Sequence, residues 1–569
     1  MKKKLVFFAL GVSLFVLGGF VDNEFKITKN LDIFFNLYKE VNYFYVDDID
    51  PEKIMQSGID GMLKSLDPYT TFIPESKMND FKFQTTGQYG GIGAIIRRSK
   101  DGVLISEPYE GCPAAKTGLL AGDVIIEIDG KNVKDNTVSD VSELLKGEPG
   151  TNVTVLIKRP FSDELIKKTI RREKITIPNV PYFGMLKDSV GYIKLTNFTT
   201  DAGEEVRKAV KQLKAQRAKA YILDLRDNPG GLLNEAVKVA NCFMPKKQLV
   251  VYTKGRIKEA TKEHFTIDEP EDTISPVIVL VNRGSASASE IVTGALQDLD
   301  RAVIVGQRTF GKGLVQQTRP LSYNTQLKVT TAKYYIPSGR CIQAVDYSHR
   351  NEDGSVGHIP DSLIKEFKTR NGRKVYDGGG IIPDIKVIKE KVSDITYNLY
   401  LGNYIFDFAT QYCAKNKKIE TPEKFTVTDT LYDQFITFLK DKDFDYKTKS
   451  EEELKKLIDI AKKEKYYQHA EQEFAMLKEK LSHNKEKDLQ TFRNEISGFI
   501  IDEIVTRKYF QKGRIIASLQ NDIELDSAMM VIKNKKRYYS LLQPSTAIVA
   551  EKPKTDKDNE EEKDEEADE

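Results

Sequence analysis

The sequence predicts a multidomain α/β protein, and three observations carry that expectation. At 569 residues the chain exceeds the length of one ordinary domain. Its apolar periodicity changes several times, from helical spacing to short β-rich runs, then to strand–helix alternation, then to helices again. Its composition, 40% hydrophobic and 30% charged, is that of a soluble globular protein. A formal net charge of +2 gives no reason to expect a nucleic-acid partner.

The N-terminus departs from this average. Lys2, Lys3 and Lys4 precede an unbroken apolar run from Leu5 to Val21. That is a positive n-region followed by an h-region. Basic residues before such a run keep the N-terminus inside and send the rest outward. Residues 1–21 are expected to be a signal peptide or a membrane anchor. The protein is expected to be exported and periplasmic, with the inner membrane as a partner if the segment is retained. No cysteine follows the run, which argues against a lipoprotein anchor.

Residues 24–84 read as an N-terminal helical domain. Phe34, Phe35, Leu37, Tyr38, Val41 and Tyr45 recur at helical spacing, and Asp67-Pro68-Tyr69-Thr70 breaks the pattern as a turn. Residues 85–165 carry short β-rich runs such as Gly93–Ile96, Val103–Ile105 and Val153–Ile157. Between them, Ala114–Leu120 suits a short helix, Val124–Ile128 a strand closed by Asp129-Gly130, and Asp140–Leu145 a second helix.

Residues 166–390 form the α/β core. Strands are expected at Val190–Leu195, Tyr221–Leu225, Val277–Val281 and Ala302–Val305. Helices are expected at Glu204–Leu213, Leu232–Phe243 and Ser287–Leu299. Cys341–Asp377 reads as an inserted polar loop region. Residues 392–545 are helical, with lysine and glutamate alternating on solvated faces. There Tyr397, Leu399, Tyr400, Tyr404, Ile405 and Phe408 are apolar enough to pack on the core or on a second subunit, so a homo-oligomer is a candidate. Residues 546–569 form an acidic tail with no aromatic residue, expected to be disordered. Cys112, Cys242, Cys341 and Cys413 are widely spaced, which argues against a metal site and makes buried free thiols the default.

Two segments carry the chemistry. Asn282–Glu290 reads N-R-G-S-A-S-A-S-E and puts a serine where a strand gives way to a helix. Exposed N–H groups and the helix dipole favour developing negative charge there. Ser285, Ser287 and Ser289 compete as nucleophile, and each would equally serve as an N-cap. Phe310–Gln317 reads F-G-K-G-L-V-Q-Q, with Lys312 between two glycines. A free lysine is a poor base, but burial lowers its pKa and frees an amine to take a serine proton. The segment lacks the Walker spacing of a phosphate loop. The turn Asn228-Pro229-Gly230-Gly231 offers main-chain N–H groups to an oxyanion. The five histidines, His264, His349, His358, His469 and His483, lie near neither segment in sequence, and nothing local supports a Ser-His-Asp triad.

Six collinear motifs resemble the carboxyl-terminal processing, or tail-specific, protease family over residues 24–390. They are Asp67–Phe72, Tyr89–Ala94, Pro113–Asp123, Asp224–Gly231, Gly284–Glu290 and Phe310–Gln316. The resemblance implies a PDZ domain inserted before a crotonase/Clp-protease-like α/β core. It implies Ser287 as nucleophile, Lys312 as general base and Gln316 as the residue orienting the lysine. It places the oxyanion hole at Gly230 or Gly231 with Ala288. It also makes Tyr89, Gly90, Gly91, Ile92, Gly93 and Ala94 the loop that grips a substrate's free C-terminal carboxylate, with an apolar last side chain in a pocket. Asp298 matches a family acidic position, yet it lies about 16 Å from Ser287 if both share one helix, so it reads as structural.

The expected function is thus a serine endopeptidase that cleaves C-terminal tails of exported proteins with a Ser/Lys dyad. It needs no metal or organic cofactor, and its partners are proteins or peptides with free apolar C-termini. The alternative is a catalytically silent scaffold that only captures C-termini. A third reading, crotonase-like acyl-CoA chemistry, shares the core fold, but the PDZ-like insertion and the export signal argue against it.

Overall fold

The computed structural model describes residues 24–162, 165–350, 355–388, 391–442 and 444–544. The apolar run Leu5–Val21 and the acidic tail lie outside these residues. No helix of the described residues is long and apolar enough to cross a membrane.

Two compact units emerge, one of residues up to Lys77 with Gln316–Thr331, the other of Met78–Val315 with the chain from Ala332 onward. In the first unit a helix spans residues 24–44, and a second, Pro51–Lys64, is capped by Asp50, whose carboxylate accepts from the N–H of Glu52 and Lys53. The sequence reading made this region mostly helical, broken by a turn at Asp67–Thr70, and expected no strand. Instead Thr71–Ile73 is a short strand, antiparallel to residues 326–328. Asp67 explains the switch. Its carboxylate accepts from Tyr69 N–H, Thr70 N–H and the Thr70 hydroxyl, which turns the chain after the helix.

The second unit begins with an antiparallel sheet in the order Ala94–Ser99, Gly102–Pro108, Val124–Ile128, Asn152–Lys158, Leu165–Arg171. Alternation decides its inner face, since Val153, Val155 and Ile157 point inward and are buried. The helix Val138–Leu145 closes that core with Val141 and Leu145. Its N-terminus is a capping box between Thr137 and Asp140. Ala94–Ser99 stands at one edge of this sheet, which leaves a row of main-chain groups open to an added strand.

The core sheet has six strands in the order Tyr182–Met185, Val190–Lys194, Ala220–Asp224, Val277–Val281, Val303–Gly306, Ile385–Lys386. The first pair is antiparallel and the rest are parallel. Continuous apolar runs such as Val277–Val281 are what a parallel sheet covered on both faces requires. Helices Ala202–Ala215, Leu233–Asn241 and Ala288–Asp298 cover one face. The other face is covered by Ile523–Lys533 and Lys535–Leu541, through Leu525, Ala528, Val531 and Tyr538. The sequence grouped these two helices with the C-terminal extension, but they complete the core. Arg226 ties them down, pairing with Asp224 of the core and with Asp522 and Glu524.

The region read as an inserted loop contains two short hairpins, Val345–Arg350 with Val356–His358 and Glu366–Lys368 with Lys374–Tyr376. The preceding C-terminal helices build a core of their own from Ile395, Leu399, Ile405, Phe408, Phe435, Ile500 and Ile504, while Tyr397 and Tyr400 stay exposed. All four cysteines are free thiols, of which Cys242 is fully buried.

Candidate active site

Three neighbouring parallel strands deliver the site loops from their carboxyl ends. Ala220–Asp224 leads into the Asn228–Gly231 turn, Val277–Val281 into the serine loop, and Val303–Gly306 into the lysine loop. The carboxyl edge of an open parallel sheet is where ligand crevices form.

Main-chain bonds stitch these loops together. Asn228 is buried, and its carbonyl accepts from Ala286 N–H (3.0 Å) and from the Ser289 hydroxyl (2.8 Å). Phe310 N–H donates to the Ser285 carbonyl (3.1 Å). These contacts separate the three serines. Ser285 and Ser289 are fully buried, and their hydroxyls donate to the carbonyls of Leu225 and Asn228. Ser287 is half-buried and sits at the N-cap of Ala288–Asp298 with φ 54° and ψ −111°. Such a conformation is costly for a residue with a Cβ, of order 1–3 kcal/mol, and needs support from its surroundings.

Lys312 is also half-buried. Its N–H donates to Glu290 Oε2 (2.9 Å), and Ser287 N–H donates to the same oxygen (2.8 Å). The fold therefore brings positions 287 and 312 onto one atom. The glycines around Lys312 are required by close approach. A Cβ on Gly313, whose N–H donates to Gln343 Oε1, would lie 2.8 Å from Gln343 N. Gly311 has φ +91°, and a Cβ there would lie 2.5 Å from the Ala344 Cβ. Gly311→Ala is accordingly expected to displace the lysine loop and to lower kcat by about 100-fold, with thermal melting showing whether the fold survives.

The glycine turn packs directly on Ser287. A Cβ on Gly230 would stand 2.7 Å from Ala288 N and 2.8 Å from the Ser287 Cβ. Gly230 N–H is committed to Asn228 Oδ1 (3.0 Å), and its carbonyl accepts from Phe198 N–H (3.1 Å). The N–H of Gly231 takes no part in these bonds, and the N–H of Ala288 opens the helix.

Gln316 lies in the first unit, where its Nε2 donates to Thr330 Oγ1 (3.1 Å). Thr330 N–H in turn donates to Thr70 Oγ1 (3.2 Å), which connects Gln316 to the Asp67–Thr70 turn. Asp298 is buried at the far end of the Ser287 helix, where it pairs with Arg340 (2.8 Å) and accepts from Ser338 N–H (3.0 Å). Its role is structural, as the helix length implied. His483 bonds Glu451 and Asp445 in the C-terminal helices, and His349 bonds Asp346.

The six residues expected to grip a carboxylate divide in two. Tyr89, Gly90 and Gly91 belong to the strand Gln88–Gly91, paired antiparallel with Glu173–Thr176. Ile92 and Gly93 lead into the edge strand that starts at Ala94, and Gly93 has φ +74°. That turn before an open strand edge is the element suited to hold a peptide's C-terminus.

Sequence reasoning missed two residues of this site. Glu290, at the third position of the helix, closes the Asn282–Glu290 segment without a role of its own in the sequence reading. Its signal was legible as an acidic residue three after a serine N-cap. Tyr334, fully buried, has its hydroxyl at the carbonyls of Lys312 and Ser287 (3.2 Å for the latter), and no local pattern announced it.

Comparison with known proteins agrees with this architecture. A family model described as peptidase family S41 matches residues 189–349, a PDZ domain model residues 104–159, and one described as probable PDZ-protease, C-terminal helical domain, residues 395–532. A carboxy-terminal-processing protease of Bartonella bacilliformis is 38% identical over 377 residues, covering 64% of this chain and 83% of that protein. A probable CtpA-like serine protease of Staphylococcus aureus is 33% identical over 446 residues, covering 76% and 85%. Among solved structures, the photosystem II D1 C-terminal processing protease is 28% identical, covers 62% of this chain and 92% of its own, and has a TM-score of 0.33. With a PDZ domain, an S41 core and curated relatives matched over most of their length, this chain belongs to the carboxy-terminal-processing serine proteases of peptidase family S41.

Proposed function

We propose that this protease cleaves the C-terminal tails of exported proteins with a Ser287/Lys312 dyad. Ser287 Oγ attacks the scissile carbonyl, and the neutral Lys312 amine takes its proton. Gln316 orients the lysine. The tetrahedral oxyanion rests on the N–H groups of Gly231 and Ala288, preorganised by the turn and by the helix start. The leaving amine takes the proton back from Lys312, and water repeats the sequence on the acyl-enzyme.

The observation that carries this reading is the convergence of Ser287 N–H and Lys312 N–H on Glu290 Oε2. The burial of the Ser285 and Ser289 hydroxyls adds to it. Substrates enter by their last residues. The carboxylate is held by N–H groups of Ile92, Gly93 and Ala94, and the tail adds a strand to Ala94–Ser99. The N-terminal lysines and apolar run support a site of action outside the inner membrane, with the segment either cleaved or kept as an anchor.

The test is incubation with an unfolded protein ending in an apolar tail, with product masses read out. Lys312→Ala is expected to lose at least about 100-fold in rate, the usual contribution of a general base. Equal product from wild type and Lys312→Ala would sink the dyad and favour a different base. Capture of the tail without any cleavage by wild type would favour the silent scaffold.

A further inference from the structure

The geometry points to Glu290 and Tyr334 as positioning residues that clamp the main chains of Ser287 and Lys312 into one reactive arrangement. This inference rests on the Ser/Lys reading above and adds residues to it.

The clamp is a matter of hydrogen-bond capacity. An ionised carboxylate accepts only, with about four lone-pair sites. All four are filled at Glu290. Oε1 accepts from the Thr309 hydroxyl (2.6 Å) and Gly311 N–H (2.7 Å), and Oε2 from Ser287 N–H (2.8 Å) and Lys312 N–H (2.9 Å). Thr309 is itself anchored, because its hydroxyl accepts from Ile381 N–H (2.7 Å). On the opposite side of the same two residues, the Tyr334 hydroxyl meets the carbonyls of Lys312 and Ser287. The N–H groups of Ser287 and Lys312 thus meet one carboxylate oxygen, and their carbonyls face one hydroxyl. This is also the support that the unusual φ/ψ of Ser287 requires.

Glu290 is completely buried on a buried helix, so its charge is balanced by N–H dipoles and by the helix N-terminus. The groups facing it are the Thr309 hydroxyl, the three N–H groups and, through space, the Cys341 thiol, which burial pushes up and keeps neutral. Arg308 of the same loop turns instead to the Gly379 carbonyl. Burial raises the Glu290 carboxyl to about 7 against the lowering effect of its four bonds. Its folded pKa stands above the unfolded value of about 4.3, so the group adds stability below that value and loses it as pH rises through about 7. The clamp has the opposite sign. A protonated Glu290 gives up an acceptor site, and three of its four neighbours are N–H groups that cannot take its hydrogen, so acidification through about 7 loosens the loops while it stabilises the fold.

The test uses the full chain and a peptide with an apolar C-terminus. Glu290→Gln places an amide NH2 against two N–H donors, and it is expected to lower kcat by about 100-fold with KM unchanged. Protonation of Glu290 should lower wild-type log kcat as pH drops through about 7, and Glu290→Gln should lack that component of the profile. Tyr334→Phe keeps the volume and removes the hydroxyl; its expected loss is about 10-fold, and the double variant should lose less than the product of the two. Wild-type kcat and pH profile in Glu290→Gln would overturn the clamp. If Glu290→Gln does not fold, wild-type kcat in Tyr334→Phe would overturn it instead. Failure of the dyad itself would look different, since Ser287→Ala and Lys312→Ala would then cleave like wild type.

Discussion

Ser287→Ala is expected to abolish cleavage of an apolar-tailed peptide, lowering kcat by at least about 10³-fold, while the variant still binds the peptide. The structure makes this a comparison among three serines in one loop. Removing the Ser287 hydroxyl takes away the atom that forms the acyl-enzyme. It disturbs little else, because Ser287 is held through its N–H and its carbonyl. Ser285→Ala and Ser289→Ala should behave in the reverse way. Each removes a buried hydroxyl that satisfies a main-chain carbonyl, on Leu225 or Asn228, and each is expected to cost about 1–3 kcal/mol of stability. Rate and melting temperature measured together on the three variants give the check. A Ser289→Ala variant that melts normally but cleaves nothing would move the nucleophile.

Arg226→Met should give the largest loss of stability, about 3–5 kcal/mol. Arg226 is surrounded by the buried Asp224 and Glu524 and the half-buried Asp522. The pairing holds the Asp224 carboxyl well below the usual carboxylate range, even though burial alone would raise it. Tyr192 and Lys194 add further bonds to the same carboxylate. Without the guanidinium, three carboxylates lose their common partner, and the closing helices Ile523–Lys533 and Lys535–Leu541 lose their tie to the sheet. Because the folded pKa of Asp224 is depressed, its contribution is present above the unfolded value of about 3.9 and disappears as pH falls toward the folded one. Denaturant midpoints of wild type and Arg226→Met should therefore converge in strong acid. Equal midpoints at neutral pH would show that the network adds nothing net.

Much of this site was legible in the chain. The strand at Val277–Val281 appears with the bounds expected from its apolar run, and the Ala288–Asp298 helix starts where the small residues and serines put it. Such runs are read easily because burial on both faces of a parallel sheet demands unbroken apolar sequence. The strand Thr71–Ile73 was not legible, because three residues carry no periodicity and its partner lies near position 327. The two helices after Asp522 look like the amphipathic helices before them, and only the sheet face they cover tells them apart.

By itself the sequence determined the classes of chemistry: a serine at a helix start, a lysine between glycines, a glycine turn and a β-rich module. These are local properties, set by residue type and spacing. Only the tertiary structure decided which serine hydroxyls are buried against carbonyls and which glycine N–H is tied to Asn228. It alone showed that Glu290 and Tyr334 hold positions 287 and 312 together. Those outcomes depend on which hydrogen-bond partners arrive from distant strands. A buried polar group must be satisfied by whatever the fold brings beside it, and no spacing along the chain encodes that neighbour.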